Sequence, residues 1–488
     1  MKKLVLLFAA IACLQIAVGQ EWKISLGGDS KALGYNKKKS LLASYPGFIG
    51  HKDGKTYLLC YYDDSKRRPY LACFDANLTE LGRQDLNDEQ SVYMYGGFVN
   101  DKSVDLMMTR QTETAYTAYK LSYDPATLQP LDEPKELVSF NNSTSGKTYT
   151  YVSSSQSQEW LSLIFAVVDD NSVEWLVSLY DTELDELWSM EFHQDAIDDY
   201  FVTDSGEVVV AGFHKKKNSD ETRLQFAILD GEREQGFSCS EVLPDLSTME
   251  VVRYADGKIY CTGLLEGENQ DETSRWYSGL YSLVYDTRAK RMAKFDKVLF
   301  TKENICDLCN VPHRMKLKIL STDKLQFVSS RYDKDGTTVL FERSYNYLIN
   351  GGLSHTEYAG LLASRIANDG HIEWHSVALR DLQAPFGIPS RLRTELVPAG
   401  DNYSVFYIDN PSNASIKEGS TATTTSLERS KLALMALTFD RQGKTSRSLL
   451  EVPSKSALIG APHRLDDGSM LLLLLRPFVS NIAILKYE

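Results

Sequence analysis

The sequence lacks the short motifs that identify many enzymes. It contains no Gly-x-Ser-x-Gly nucleophile elbow, no glycine-rich phosphate loop and no His-Glu-x-x-His zinc-protease helix. Long apolar runs are also missing beyond the N-terminus. The longest, at 160–168 and 470–475, fall far short of the ~20 residues that a membrane-spanning helix needs. We therefore expect no transmembrane segment.

Positive charge is in deficit. The chain has 53 Lys and Arg against 66 Asp and Glu, a net charge of −13. Such a surface repels phosphate backbones, so we expect no nucleic-acid partner.

The N-terminus has the pattern of an export signal. Two lysines precede an apolar stretch, which ends in the small-x-small pattern of residues 17–19. This predicts a signal peptide over residues 1–19 and a mature chain that starts at Gln20. The alternative is lipoprotein processing, with Cys13 as the modified residue. In either case we expect an exported protein in the periplasm, on the cell surface or outside the cell.

Cysteine is scarce, and six remain after cleavage: Cys60, Cys73, Cys239, Cys261, Cys306 and Cys309. An even number in an exported chain suggests disulfides. Cys60 and Cys73 lie on consecutive predicted strands. Cys239 and Cys261 flank another pair of strands that are predicted to be neighbours. The alternative is that these thiols serve as small core residues.

The motif Cys306-Asp-Leu-Cys309, with His313 four residues on, admits three interpretations. A disulfide that pins a long loop is favoured. A zinc site would need four ligands, and there is no second Cys-x-x-Cys. A thioredoxin-type redox pair would open a helix in an α/β context, which this chain does not show. We expect no metal and no cofactor.

What the chain does contain is a repeat. An apolar or aromatic residue followed by an acid recurs at intervals of 48 to 83 residues, after an alternating run and before a turn. The series is Phe74-Asp75, Tyr123-Asp124, Tyr180-Asp181, Leu229-Asp230, Tyr285-Asp286, Asn368-Asp369 (where Asn replaces the apolar residue), Phe439-Asp440 and Tyr487-Glu488.

A second series of turn signals runs in phase with the first, and each member precedes a strongly apolar strand. Its members are Asp53-Gly54, Asn100-Asp101, Ser155-Gln156, Ser205-Gly206, Asp256-Gly257, Thr322-Asp323, Gly400-Asp401 and Asp467-Gly468. Near-continuous apolar runs indicate strands that are buried on both faces.

A repeat of about 50 residues made of short strands predicts an all-β propeller. We expect eight blades of four antiparallel strands in a single domain over residues 20–488, with seven blades as the alternative. The chain stops where the third strand of the eighth unit ends, so residues 21–26 are expected to supply its last strand. Closing the ring in this way removes open sheet edges.

In its repeat pattern, the mature chain resembles the β-propeller superfamily. The turns at 180–188 and 368–374 look like the turn-and-Trp signature of quinoprotein-type propellers. Only two blades carry that signature, so a quinone cofactor is not implied. The boxes of the sialidase and WD40 propellers are absent from the sequence.

Several loops lengthen late in the chain. The longest are insertions at 332–356 and 409–430, and shorter ones are expected at 266–278, 306–309 and 383–389. The phase predicts that all five lie over one sector of one propeller face, where binding sites are common.

Two triplets, Pro312-His313-Arg314 and Pro389-Ser390-Arg391, are predicted to start the innermost strands of blades six and seven. His313, Arg314 and Arg391 could bind a carboxylate or sulfate there. The alternative is an ion pair between blades.

Tyr345, Tyr347 and His355 belong to the blade-six insertion and could stack on a sugar, or else form a small local core. In the same insertion, Asp333-Lys-Asp335-Gly336 resembles half a calcium loop but predicts a hairpin turn. The leading hypothesis is an exported, non-enzymatic propeller that binds a protein or glycan partner through the face formed by the late-blade loops. The alternative is a hydrolase or lyase that acts on a polysaccharide or peptide at the mouth of the channel.

Overall fold

The computed structural model describes residues 22–26, 47–61, 68–75, 79–86, 92–111, 115–141, 147–155, 157, 159–169, 172–192, 194, 197–215, 222–239, 246, 248–267, 277–314, 324–349, 353–385, 395–416, 420–426, 432–450, 458–459, 463–465, 468–475 and 481–487. These residues form an eight-bladed β-propeller whose blades are antiparallel sheets arranged in a ring. The predicted signal peptide lies outside them, so export stays a prediction. No helix in this part of the chain is long and apolar enough to cross a membrane.

The first five blades each contain four strands in chain order. Blade one is β2 (Gly47–Lys52), β3 (Lys55–Tyr61), β4 (Pro69–Phe74) and β5 (Glu80–Asp85). Blade two is β6 (Val92–Val99), β7 (Val104–Gln111), β8 (Ala115–Tyr123) and β9 (Lys135–Asn141). Blade three is β10 (Lys147–Ser154), β11 (Leu161–Asp169), β12 (Ser172–Tyr180) and β13 (Glu186–Phe192). Blade four is β14 (Asp199–Val202), β15 (Val208–Lys215), β16 (Thr222–Leu229) and β17 (Glu234–Ser238). Blade five is β18 (Val251–Ala255), β19 (Lys258–Glu266), β20 (Tyr277–Asp286) and β21 (Arg291–Leu299).

The last three blades are elaborated. A helix, α1 (Lys302–Leu308), precedes blade six, which is β22 (Leu325–Asp333), β23 (Gly336–Ile349), β24 (Leu353–Ala367) and β25 (Ile372–Ala378), extended by β26 (Leu382–Pro385) and β29 (Thr425–Ser426). Blade seven is β27 (Leu396–Ala399), β28 (Asn402–Asp409), β30 (Ala433–Phe439) and β31 (Thr445–Leu450), with a 3₁₀ helix at Pro411–Ser415. Blade eight is β32 (Leu458–Ile459) and β33 (His463–Arg464), which both pair with β34 (Met470–Leu475), then β35 (Asn481–Tyr487) and β1 (Trp22–Leu26).

The N-terminal strand closes the ring, as the sequence predicted. β1 pairs antiparallel with β35, with Trp22 opposite Tyr487. The Trp22 indole is 7% exposed, contacts the ring of Phe406 at 4.9 Å, and donates from Nε1 to Ser404 Oγ at 2.9 Å. Trp22 of blade eight therefore packs on blade seven. The eight-blade prediction is confirmed.

The acids of the repeat close the turn between strands three and four. Strand three ends at, or one residue before, the acid in seven blades. In blades one to seven the carboxylate accepts backbone N–H groups two to four residues on, as Asp124 does from Ala126 and Thr127, and Asp440 does from Gln442 and Lys444. A short acid that bonds the following backbone stabilises a turn, which explains why the acid recurs although its apolar neighbour varies.

Blade six is out of phase with the prediction. The expected turn at 322–323 lies outside the described residues, and the apolar strand predicted to follow that turn is β22, the innermost strand of the blade. The real turn between strands one and two is Asp333–Gly336, where Asp333 Oδ1 accepts the amides of Asp335 and Gly336. The hairpin-turn prediction is thus confirmed. Most of the supposed insertion at 332–356 is strand, because β23 and β24 extend beyond the blade.

Candidate functional site

The two ends of the propeller differ in the chain segments that they present. The turns between strands one and two of each blade, and those between strands three and four of blades one to seven, lie at one end, which we call the turn face. The loops between strands two and three and the links between blades lie at the other end, the insertion face. This follows from the antiparallel order of the strands in each blade.

Parts of four of the five predicted insertions pack together at the insertion face, in agreement with the prediction. The start of the insertion predicted at 332–356 does not, because residues 333–336 form a turn at the opposite face. α1 packs on β24 and β25, while β26 and β29 extend the sheet of β24. The side chain of Asn310 joins three segments by donating to Asp381 Oδ2 at 2.7 Å and exchanging hydrogen bonds with the backbone of Ala422. Thr424 Oγ1 also donates to Asp381 Oδ2. These contacts bind the insertions to one another and to blade six.

Beneath these segments lies a buried ion pair. Arg380 Nη1 contacts Glu342 Oε1, and the two side chains are 1% and 7% exposed. The guanidinium group of Arg380 lies 5.3 Å from the ring centres of Tyr358 and Tyr407, so it is enclosed on both sides. Burial raises the pKa of Glu342, and Arg380 opposes that rise. Because it is buried, the Arg380–Glu342 ion pair is a structural element rather than a ligand contact.

The predicted anion site at this face is only partly described. His313 and Arg314 follow α1 and precede β22 by more than ten residues, so they do not start the innermost strand as predicted. His313 Nε2 lies 2.8 Å from Asp307 Oδ1, which turns the imidazole back towards the helix, and Arg314 is exposed. Arg391 lies outside the described residues. Its clustering with His313 and Arg314 stays a prediction.

Tyr345 and Tyr347 lie on β23, and His355 lies on β24 directly opposite Tyr347. The backbone thus places all three where β23 and β24 project beyond the blade. Their side chains lie outside the described part of the structure, so a role in stacking stays a prediction.

The structure joins none of the six cysteines, all of which it describes, in a disulfide. On β3 and β4, Cys60 is opposite Tyr70 and Cys73 is opposite Tyr57. Cys60 and Cys73 are therefore three positions out of register and point to opposite sides of the sheet, an arrangement that a disulfide cannot bridge. This register contradicts the suggested Cys60–Cys73 pair.

The other two cysteine pairs stay predictions. Cys239 and Cys261 share the core cluster between blades four and five, where burial and the nearby Asp199 and Cys239 raise the pKa of Cys261. Cys306 and Cys309 lie at the C-terminal end of α1 rather than at its start. Burial raises the pKa of the Cys306 thiol. A thiol whose pKa is raised is a poor nucleophile, which argues against redox catalysis at this motif.

The turn face carries a cavity of about 890 Å³ between blades six, seven and eight. Sequence reasoning did not single it out. Its walls come from the short turns of these blades and the strand ends beside them: residues 331–335, Thr338, Arg365, Glu373, Trp374, Glu395, Val397, Pro398, residues 400–403, Asp440, Arg441, His463, Arg464 and Met470.

Asp333 is the centre of the hydrogen-bond network in this cavity. Its Oδ1 accepts from Arg365 Nη2 at 2.6 Å, and its Oδ2 accepts from Tyr403 Oη at 2.6 Å. With the two turn amides of Asp335 and Gly336, the carboxylate accepts four hydrogen bonds, three at Oδ1 and one at Oδ2. Burial alone would raise the pKa of Asp333, but the bonds from Arg365 and Tyr403 outweigh it and hold that pKa well below its usual range.

Two further ion pairs line the walls. Arg331 contacts Glu395 and also donates from Nε to the carbonyl of Leu396 at 3.1 Å. Burial raises the pKa of Glu395, with Arg331 acting in the opposite direction. Arg441 Nη2 lies 2.7 Å from Asp401 Oδ1. These pairs join blade six to blade seven and connect two turns of blade seven.

The remaining lining residues include exposed cations and half-buried rings. Lys334 and Arg464 are exposed, and neither contacts an acid among the described residues. Trp374 donates from Nε1 to the carbonyl of Arg441 at 3.0 Å, which fixes the indole at the rim. His463 stacks on Phe48 of blade one at 3.9 Å, and burial lowers the pKa of His463 to about 4, so its imidazole is neutral near pH 7.

Comparisons with known proteins identify no family. No protein-family model matches the chain, and no curated protein matches it. Among solved structures, the β-propeller domain of the Trilobed protease from Pyrococcus furiosus is 10% identical with a TM-score of 0.36, covering 84% of this chain and 98% of that one. A eukaryotic initiation factor is 10% identical with a TM-score of 0.39, covering 96% and 93%. An ulvan lyase of polysaccharide lyase family PL25 is 11% identical with a TM-score of 0.35, covering 93% and 94%. The function is argued below from this chain's own residues.

Proposed function

We propose that this chain is a non-enzymatic glycan-binding propeller whose ligand occupies the turn-face cavity. The observation that carries the proposal is the lining of that cavity, which contains both half-buried aromatic rings and many hydrogen-bonding groups. Its volume of about 890 Å³ lies within the range of ligand pockets, ~300–1,000 Å³. Tyr332, Trp374 and Tyr403 offer ring surface, and the ion-paired side chains offer donors and acceptors in fixed positions.

The charge balance favours a neutral polar ligand. Five lining residues are Lys or Arg and six are Asp or Glu. Three of the arginines, Arg331, Arg365 and Arg441, are already paired with acids. A cavity whose charges largely cancel attracts neither strong anions nor strong cations. Sugar hydroxyls, which both donate and accept, suit such a lining.

The acids of the cavity support binding rather than catalysis. Asp333 Oδ1 is saturated by three hydrogen bonds from the protein, and Oδ2 accepts one more from Tyr403, so at most one lone pair is left for a substrate. Glu395 is held by Arg331. A general base or nucleophile needs an oxygen within hydrogen-bond reach of the substrate, and the hydrogen bonds of Asp333 oppose that role.

One observation favours the alternative, a hydrolase that acts on a glycan. Asp333 and Glu395 line the same cavity and their pKa values are displaced in opposite directions, downward for Asp333 and upward for Glu395. Paired carboxylates with separated pKa values are typical of acid–base chemistry. Release of new reducing ends from a bound oligosaccharide would decide for the hydrolase.

The proposal is tested by titration calorimetry against cello-, xylo-, manno- and laminari-oligosaccharides. The variant K334A/R464A removes the two exposed turn-face cations and should weaken binding at least ~10-fold, since each lost hydrogen bond to a charged group contributes about 1.5–3 kcal/mol. The matched control K302A/R314A removes an exposed Lys and Arg of the insertion face and should bind like the native chain.

If none of these glycans binds, the proposal is contradicted. An equal loss of affinity in K302A/R314A would also contradict it, because that result would move the site to the insertion face.

A further inference from the structure

A second concavity adjoins the cavity on the turn face. It measures about 830 Å³ and is lined by turns of blades three, four and five, among them Ser205, Glu207 and Asp256. Tyr332, Asp333 and Lys334 line both concavities. The blade-six turn is therefore a ridge between two adjoining spaces, which together extend over the turn face from blade three to blade eight.

The ridge is held from both sides. Towards blades four and five, the Tyr332 ring meets Phe201 edge-on at 5.4 Å and lies 5.4 Å from the guanidinium carbon of Arg253. Arg253 Nη1 donates to Asn368 Oδ1, and Asn368 Nδ2 donates to the carbonyl of Lys334. A ridge fixed by these contacts has little conformational entropy to lose when a ligand lies across it.

Towards blade seven, the same turn is held by the hydrogen bond from Tyr403 to Asp333. The turn thus contacts neighbouring blades on both sides. Ligand groups on either side of the ridge would meet fixed partners.

Resting on the proposed glycan-binding function, we infer that the ligand is a linear, uncharged polysaccharide that crosses the ridge and occupies both concavities. Each space alone suffices for one small ligand of ordinary size, so two adjoining spaces accommodate a longer chain. The second concavity has four acids (Asp204, Glu207, Asp256 and Asp333) against two cations (Arg253 and Lys334). This excess of negative charge disfavours sulfated or uronate polymers.

The inference is tested by chain length, with cello-, xylo-, manno- and laminari-oligosaccharides of two to eight units as probes and alginate oligomers as the charged comparison. In the series that binds, Kd should fall at least ~10-fold between the shortest and the longest member, because only the longer chain reaches both concavities. Alginate oligomers of equal length should bind more weakly.

A bulky substitution in the second concavity tests the contribution of each concavity separately. S205W places a bulky side chain at an exposed turn position in the second concavity, and S446W places one on the exposed outer strand β31 as the control. S205W should reduce the affinity for the longest oligomer to that for the shortest and leave the shortest unaffected, while S446W should change neither.

Equal binding of short and long oligomers, or an equal effect of S205W on both, would overturn this inference and leave the proposed function intact. So would tighter binding of alginate oligomers than of neutral ones. Binding of no oligomer of any length would overturn the proposed function, and the inference with it.

Discussion

The two faces of this propeller contain the same kind of ion pair in different surroundings. On the turn face, the side chains of Arg365 and Asp333 are 10% and 38% exposed. At the insertion face, those of Arg380 and Glu342 are 1% and 7% exposed. The first pair lines an open cavity, whereas the second is enclosed between tyrosine rings. Both pairs join an arginine to a carboxylate, and their exposure decides whether they can contact a ligand.

The comparison shows that loop length is a poor guide to function in this fold. Long insertions have polar backbone that must be satisfied, and here their described side chains are used for that purpose, as Asn310 and Asn413 show by bonding to neighbouring loop backbone. Short turns need few such contacts. Their side chains remain available to line the turn-face cavity.

The largest expected effect comes from opening the ring, which should damage the turn face first. Trp22 is buried between blades seven and eight, so W22A should lower the free energy of unfolding by about 4 kcal/mol. Blade eight contributes His463 and Arg464 to the cavity, whereas the described insertion contacts lie in blades six and seven. Urea unfolding measures the loss, with K23A as the control on the same strand. A W22A protein within ~1 kcal/mol of K23A would show that the N-terminal strand does not stabilise the closed ring.

Removing one partner of each ion pair should reduce the free energy of unfolding by different amounts at the two faces. E342Q leaves Arg380 buried without its counter-charge and should cost about 3 kcal/mol. D333N should cost less, because water reaches that pair and screens it. Replacing both buried partners in R380M/E342L should restore most of the stability lost in E342Q. Equal losses for E342Q and D333N would remove the distinction between the faces.

A smaller effect should appear in the pH dependence of stability. Asp199, where blade four begins at the insertion face, has its pKa raised to about 7 by burial. Because the folded state binds this proton more tightly than the unfolded state, the stability that Asp199 contributes is present at low pH and is lost as the pH rises towards 7. D199N should therefore be more stable than the native chain at pH 8 and equal to it near pH 4.

Asp333 should show the opposite dependence. Its pKa is lowered, so its contribution is present above pH ~4 and is lost as the pH falls further. The difference between D333N and the native chain should shrink in acid. Thermal unfolding across pH 3–8 measures both profiles, and the same sign for the two variants would contradict the assigned pKa directions.

The fold was largely predictable from the sequence, and the site was not. Asp124 and the other acids of the repeat bond to backbone within a few positions, so sequence spacing reveals them. Closure by residues 21–26 followed from the incomplete eighth unit. Blade six was misplaced because Asp333–Gly336 is a hairpin turn inside a stretch that was counted as an insertion. The cavity depends on pairs such as Arg331 and Glu395, which lie 64 positions apart and in different blades. No local sequence pattern reveals a contact between residues so far apart in the chain.

The central claim, that ligand binds the turn face rather than the insertion face, is tested most directly by carboxyl footprinting with mass spectrometry. Carbodiimide labelling would be compared with and without the longest oligosaccharide that binds. Exposed Asp335 and Asp401 of the turn face should be labelled several-fold more slowly when ligand is present, while exposed Asp198 and Glu303 of the insertion face should be labelled at an unchanged rate. Protection of Asp198 and Glu303 with no change at Asp335 and Asp401 would contradict the account.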